Sequence, residues 1–184
     1  MSPQKTTPRD PLSSKTAPDM RRGGEQHAGE RHPDSPHSDE LWMEEALRCA
    51  QRALEEGEVP VGAVVVRDGQ ILGRGWNRNI TGSDPTAHAE ITALRETAAG
   101  VGNHRLEDCE LFVTMEPCAM CAGAMVHARI RRLVYGADDP KAGAVRSVMQ
   151  VLNHPQMNHK VEVRSGVLAG RSSEVLQTFF RSRR

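Results

Sequence analysis

The run Val61-Gly62-Ala63-Val64-Val65-Val66 carries no polar side chain, and a short, continuously apolar run of this kind reads as a strand buried on both faces. The segment Arg67-Asp68-Gly69-Gln70 follows it, and then Ile71-Leu72-Gly73-Arg74-Gly75-Trp76. Two strand-like runs around Asp-Gly predict a hairpin. Upstream, Leu41, Met43, Ala46, Leu47, Ala50 and Leu54 recur at three- and four-residue steps, the apolar stripe of a helix ending near Gly57.

Downstream, the turn formers of residues 81–85 precede a predicted helix over 88–99, its start marked by Thr86. A strand at 111–113, a helix over 117–130 and a strand at 133–135 follow. A loop bearing Gly, Asp, Pro and Lys leads to a weak helix over 145–152, a strand at 161–163 and a final helix over 172–181. Strands alternating with helices after an initial hairpin predict an α/β fold, a three-layer α/β/α sandwich with a mixed five-stranded sheet.

The first 40 residues differ in kind. Leu12 is their one large aliphatic besides Met1 and Met20, too little apolar surface to offset chain entropy. They read as a disordered tail, and residues 41–184 as a single catalytic domain. The tail shows no basic start leading into an apolar segment, so a secretion signal is unsupported and a cytoplasmic location is expected. The apolar run of residues 59–66, broken by Pro60 and Gly62, is far short of the roughly 20 residues a membrane helix needs. In such a chain, Cys49, Cys109, Cys118 and Cys121 are reduced thiols or metal ligands before they are disulfides.

Overall the chain is neutral, with 24 basic and 24 acidic residues, but residues 41–124 hold 7 basic and 13 acidic side chains and residues 125–184 hold 11 and 4. The last third is a cationic surface suited to a polyanion, or simply a solvated face.

The chemistry concentrates in two stretches, Asp84-Pro85-Thr86-Ala87-His88-Ala89-Glu90 and Glu116-Pro117-Cys118-Ala119-Met120-Cys121. A lone Cys-x-x-Cys serves redox exchange, structural zinc or catalytic zinc. His88 and the cysteine pair, however, each stand at the start of a helix that follows a strand and a loop. Consecutive helices of an α/β sheet can bring such starts to one edge. Three ligands, His88, Cys118 and Cys121, leave a fourth position for water, as catalytic zinc requires; completion by Cys109 or Cys49 would make the site structural. Glu90, two residues beyond His88, is placed for proton transfer. The set matches the zinc-deaminase signature, His-x-Glu with Pro-Cys-x-x-Cys.

From about Leu41 to Arg184 the chain resembles the bacterial tRNA adenosine deaminases of the cytidine deaminase superfamily. The likeness rests on the two stretches above and on Val59-Pro60-Val61-Gly62-Ala63-Val64, Gly75-Trp76-Asn77-Arg78, Asn153-His154-Pro155, Met157-Asn158-His159 and the terminal Phe179-Phe180-Arg181-Ser182-Arg183-Arg184. Asn79 and Ala142 stand where related chains often carry Pro and Thr. The resemblance implies a cytidine deaminase-like fold with one Zn2+ per subunit. It also implies hydrolytic conversion of the wobble adenosine of a tRNA anticodon stem-loop to inosine, zinc-bound hydroxide attacking C6 with Glu90 as proton shuttle. By the same resemblance Asn77 would bond the flipped base and Asp139 would lie near a ribose hydroxyl. Lys141 and Arg181 would contact phosphate, and Phe179 or Phe180 would stack on a base. Homodimers are the family's habit, with residues 120–126 as a candidate seam. The rival reading is a deaminase of a free base or nucleoside, guanine or cytidine. A noncatalytic RNA-binding subunit is a further alternative, against which the intact Glu90 argues.

Overall fold

The computed structural model describes residues 36–183. Its elements run α1 (Pro36–Glu55), β1 (Gly62–Arg67), β2 (Gln70–Trp76), α2 (Ala89–Val101), β3 (Glu110–Met115), α3 (Ala119–Ala128), β4 (Arg132–Ala137), β5 (Glu162–Ser165) and α4 (Ala169–Arg181). The five described strands form one mixed sheet in the order β2-β1-β3-β4-β5. β1 is antiparallel to β2 and β3, while β3, β4 and β5 run parallel.

The apolar β1 run behaves as read. Ala63 and Val65, with Leu111, Val113, Leu133 and Tyr135, face a core shared with Ile91 and Leu94 of α2 and Met125 and Val126 of α3. Val64 and Val66, with Phe112 and Val134, face the other way, onto Met43, Ala46 and Cys49 of α1. This strict alternation between two buried faces puts a helix layer on each side of the sheet. The hairpin turns at Asp68 (φ 52°) and Gly69 (φ 71°), the two left-handed residues that Asp-Gly supplies for a tight turn.

Three expectations need correction. The helix predicted from Leu41 begins at Pro36, so the tail boundary at 40 falls inside it; the rest of the tail lies outside the described residues. The reason is charge rather than hydrophobicity. Asp39, with no exposed surface, takes a two-pronged bond from the buried Arg132 guanidinium at 2.9 and 2.7 Å and a further one from Arg164. Glu110 accepts from the same Arg132 at 2.8 Å. The weak helix over 145–152 is a set of turns, because its amides are drawn to Glu116 and to the Gly143 carbonyl. Thr86 does not cap α2; its N–H and hydroxyl donate to Asp84 at 2.8 and 2.7 Å.

Among the described residues no helix is long and apolar enough to cross a membrane.

Candidate active site

The two chemical stretches meet because the helices that carry them start where strands end. α2 docks against β2 with its backbone almost in contact: a Cβ on Gly75 would lie 2.1 Å from the Ala89 carbonyl oxygen. Any side chain at position 75 would push the start of α2 away. His88 is the N-cap residue of α2 (φ −72°, ψ 155°) and Cys118 that of α3 (φ −74°, ψ 175°). Both are extended, and neither spends its side chain on capping. The imidazole and thiol therefore project from helix ends whose amides favour negative charge.

His88 Nδ1 lies 3.7 Å from Cys118 Sγ and 3.6 Å from Cys121 Sγ. A tetrahedral zinc ion bonded to nitrogen at about 2.0–2.1 Å and to sulfur at about 2.3 Å holds N and S roughly 3.5–3.6 Å apart. The three donor atoms all fall within 4.8 Å of one another, so both the spacing and the soft nitrogen–sulfur donor set fit zinc. Cys109 and Cys49 are buried in the core, and neither joins this group of donors among the described residues.

The three donor groups also shift one another's protonation. The Cys118 thiol is pulled down to about 3, first by the Cys121 thiol that bonds to it and then by His88, against the cost of burial. His88 is pushed above its ordinary value, chiefly by its bond to Cys118. Cys121 is pushed up by Cys118 and by burial. The three groups titrate as a coupled set, and a metal ion held there would take the cysteines as thiolates.

Glu90 is 4 % exposed, burial drives its carboxyl upward, and a carboxyl at this place can accept and release a proton. It lines a cavity of about 350 Å³ together with His88, Cys118, Asn77 and Asp139, with Val59, Val61 and Met115 as apolar wall. That volume is at the small end of ligand sites.

The remaining expected residues divide between two places. Asn77 is buried at the cavity, its Oδ1 accepting the Ala89 N–H at 2.9 Å; one atom of the side chain holds the helix start while its amide nitrogen remains the donor. Asp139 also borders the cavity, its Oδ1 accepting the N–H groups of Lys141 and Ala142 at 2.9 and 3.2 Å. Lys141 and Arg181 instead line a second cavity of about 510 Å³, with Leu176, Gln177, Phe180 and Arg183. Phe179 is 4 % exposed and lies under the Arg183 guanidinium, 4.3 Å from its ring centre. It cannot present a face to RNA as it stands; its edge-on neighbour Phe180, half exposed, can.

Part of the cationic charge of the last third is paired within the fold. Arg132 is buried, Arg131 pairs with Glu110, Arg146 with Asp138, Arg164 with Asp39 and Arg171 with Glu44. The late motif is partly structural too: His159 Nε2 bonds the Ile130 carbonyl at 2.7 Å, and Arg129 donates to Asn158. The candidate dimer seam is mixed, with Cys121, Ala122, Met125 and Val126 in the core and Met120 outward.

Two buried carboxylates at the cavity escaped the sequence reading. Glu116, 3 % exposed, accepts from the amides of Asp139 (3.1 Å), Val145 (3.1 Å), Arg146 (2.8 Å) and Ser147 (3.0 Å) and from the Ser147 hydroxyl. Although burial pushes its carboxyl upward, these donors win and hold it at about 2. Glu58, 1 % exposed, does the same for the amides of Ile80 and Thr81. The signal available was a charged residue beside each motif, in Glu58-Val59-Pro60 and Glu116-Pro117-Cys118.

Residues 37–184 match the family model described as MafB19-like deaminase. The tRNA-specific adenosine deaminase of Haemophilus influenzae is 54% identical over 147 residues, covering 79% of this chain and 85% of that protein. The chain belongs to the tRNA-specific adenosine deaminase family. The family's protein from Agrobacterium fabrum is 48% identical over 143 residues, with 78% of this chain and 94% of that one covered. Among solved structures, one from a study of A-to-I editing by tRNA:A34 deaminases at the wobble position of transfer RNA superposes with a TM-score of 0.72. It is 47% identical and covers 74% of this chain and 99% of its own. The guanine deaminase of Nitrosomonas europaea shares the fold more distantly, with a TM-score of 0.65 and 26% identity over 76% of this chain and 83% of that one. The cytidine deaminase-like three-layer architecture read from the chain is thus the family's own.

Proposed function

We propose that this protein hydrolyses adenosine to inosine at the wobble position of a tRNA anticodon, using one zinc ion per subunit held by His88, Cys118 and Cys121. The observation that carries the reading is the grouping of one imidazole and two thiols beside a cavity of about 350 Å³ that His88, Cys118 and the buried Glu90 line. Bound there, zinc supplies a Lewis acid that makes water nucleophilic at neutral pH.

The chain's residues do the rest. Asn77, its carbonyl oxygen fixed by Ala89, offers its amide nitrogen to the base and so orients C6. Glu90 takes one proton of the attacking water and delivers it to N1, then takes the remaining proton from the new C6 hydroxyl and delivers it to the exocyclic amine as the C6–N6 bond breaks and the C6 carbonyl forms. The balance is adenosine and water to inosine and ammonia. The apolar wall of Val59, Val61 and Met115 keeps bulk water from competing with these steps. A base can enter only after leaving its stack, which an anticodon loop allows at lower cost than a duplex. Lys141, Arg181 and half-exposed Phe180 line the second cavity and suit the phosphates and bases beside the target; Asp139 stands at the first cavity to accept a ribose hydroxyl.

A homodimer is part of the proposal. Between α2 and α3 an apolar groove of about 420 Å³, lined by Ile91, Leu94, Ala98, Leu106, Ala124 and Ala128 among others, offers a face for a second copy. The substrate implies a cytoplasmic site of action. The test is incubation of the zinc-loaded protein with an anticodon stem-loop bearing wobble adenosine, followed by nucleoside analysis. Inosine is expected; turnover of free guanine or cytidine with none of the RNA would overturn the proposal in favour of the free-base alternative.

A further inference from the structure

Residues 78–84, between β2 and α2, form a short loop beside the catalytic cavity, and one buried carboxylate holds it. Glu58 follows the left-handed Gly57 (φ 78°) that ends α1. Its N–H closes the helix end on the Ala53 carbonyl at 2.8 Å. Its carboxylate accepts the Thr81 N–H at 2.7 Å and the Ile80 N–H at 2.9 Å on one oxygen, with Ile80 N also 3.2 Å from the other. A buried carboxylate is costly unless donors compensate it, and charge-assisted bonds of this kind are roughly twice as strong as neutral ones. Loop and carboxylate therefore depend on each other. The Arg183 guanidinium, donating to the adjacent Gly57 carbonyl, adds positive charge near Glu58.

The loop is also closed on itself. Gly82 N–H bonds the Arg78 carbonyl at 2.9 Å, and the Asn79 amide bonds the carbonyls of Asp84 and Pro85, both at 3.2 Å. What this stiff loop presents is Ile80, a branched aliphatic side chain that lines the cavity yet is 62% exposed. Its backbone is anchored and its side chain has no place in the described core.

We propose that Glu58 is a positioning residue and Ile80 a specificity-determining residue: through the Ile80 and Thr81 amides, Glu58 holds Ile80 at the cavity mouth, where it packs against the entering nucleobase. This rests on the reading of the protein as an RNA adenosine deaminase.

Steady-state kinetics on the wobble-adenosine stem-loop, for wild type, Ile80→Ala, Glu58→Gln, Glu58→Ala and the double variant Glu58→Ala/Ile80→Ala, test it alongside hydrogen exchange at the Ile80 and Thr81 amides. Ile80→Ala raises KM roughly 10-fold, the scale of losing apolar contact in a pocket, and leaves kcat within about 2-fold. Glu58→Ala raises KM at least as much and abolishes protection of both amides. Because Glu58 acts through Ile80, the double variant is no worse than Glu58→Ala alone. Glu58→Gln, which keeps one acceptor oxygen, falls between wild type and Glu58→Ala. An unchanged KM in Ile80→Ala, losses that multiply in the double variant, or full amide protection without Glu58 would each overturn the proposal. If Glu58→Ala does not fold, Glu58→Gln and Ile80→Ala decide it. Failure of the wild type on the RNA tells against the assigned reaction instead, while exchange at Ile80 and Thr81 still tests the clamp.

Discussion

Replacing Glu116 by Gln removes one negative charge from a buried site where four amides and a hydroxyl converge on it. The carboxyl sits at about 2 in the fold against an ordinary value of 4.5, a gap that corresponds to about 3 kcal/mol of stability at neutral pH. Because the folded value is depressed, that contribution is present above pH 4.5 and is lost as pH falls toward 2; at pH 3 about 1 kcal/mol remains. Gln keeps one acceptor oxygen but turns an NH2 group toward amide donors. Glu116→Gln is therefore expected to be about 3 kcal/mol less stable than wild type at pH 7, and about 1 kcal/mol less stable at pH 3. Urea unfolding of both proteins at pH 7, 5, 4 and 3 measures this, and metal-linked effects common to the two largely cancel in the difference. Equal stability at pH 7, or a difference that does not shrink on acidification, would refute the assignment of Glu116 as the ionised anchor of residues 139–147.

Glu90→Gln should retain one zinc per chain by elemental analysis while its turnover of the stem-loop falls by at least about 10²-fold, the lower bound for a lost general acid and base. Asp39→Ala strips the buried Arg132 of its two-pronged partner and leaves Glu110; a loss of about 3 kcal/mol is expected in urea unfolding, the lower end for a broken buried pair. Phe179→Ala should cost about 3 kcal/mol or more as a core truncation. Phe180→Ala should leave stability nearly unchanged and weaken binding of the stem-loop by about 1–3 kcal/mol in a titration, the scale of one lost base stack.

Legibility in the sequence followed the range of the forces involved. The hairpin and the central strands rest on local signals, Asp-Gly at 68–69 and the unbroken β1 run, and the structure follows them. His88, Cys118 and Cys121 could be brought together on paper because both stretches stand at helix starts after strands, a placement the topology then imposes. The start of α1 was hidden because Asp39 is fixed by Arg132, 93 residues away, an attraction that no periodicity records. The segment 145–152 imitates a helix through Val145, Val148 and Leu152. Amides turned toward Glu116 and Gly143 bring Val145 and Leu152 into the core from turns and leave Val148 half exposed. Charge counting saw eleven cations in the last third but not that Arg132, Arg146, Arg164 and Arg171 pair within the fold. Glu58 and Glu116 look like ordinary surface acids until the loops that surround them are in place.

X-ray absorption at the zinc edge of the purified, active protein tests the account most directly. One zinc per chain is expected, with two sulfur neighbours at about 2.3 Å, one imidazole nitrogen at about 2.0–2.1 Å and one further light atom. A third sulfur in the shell, or full activity in protein that carries no metal, would contradict it.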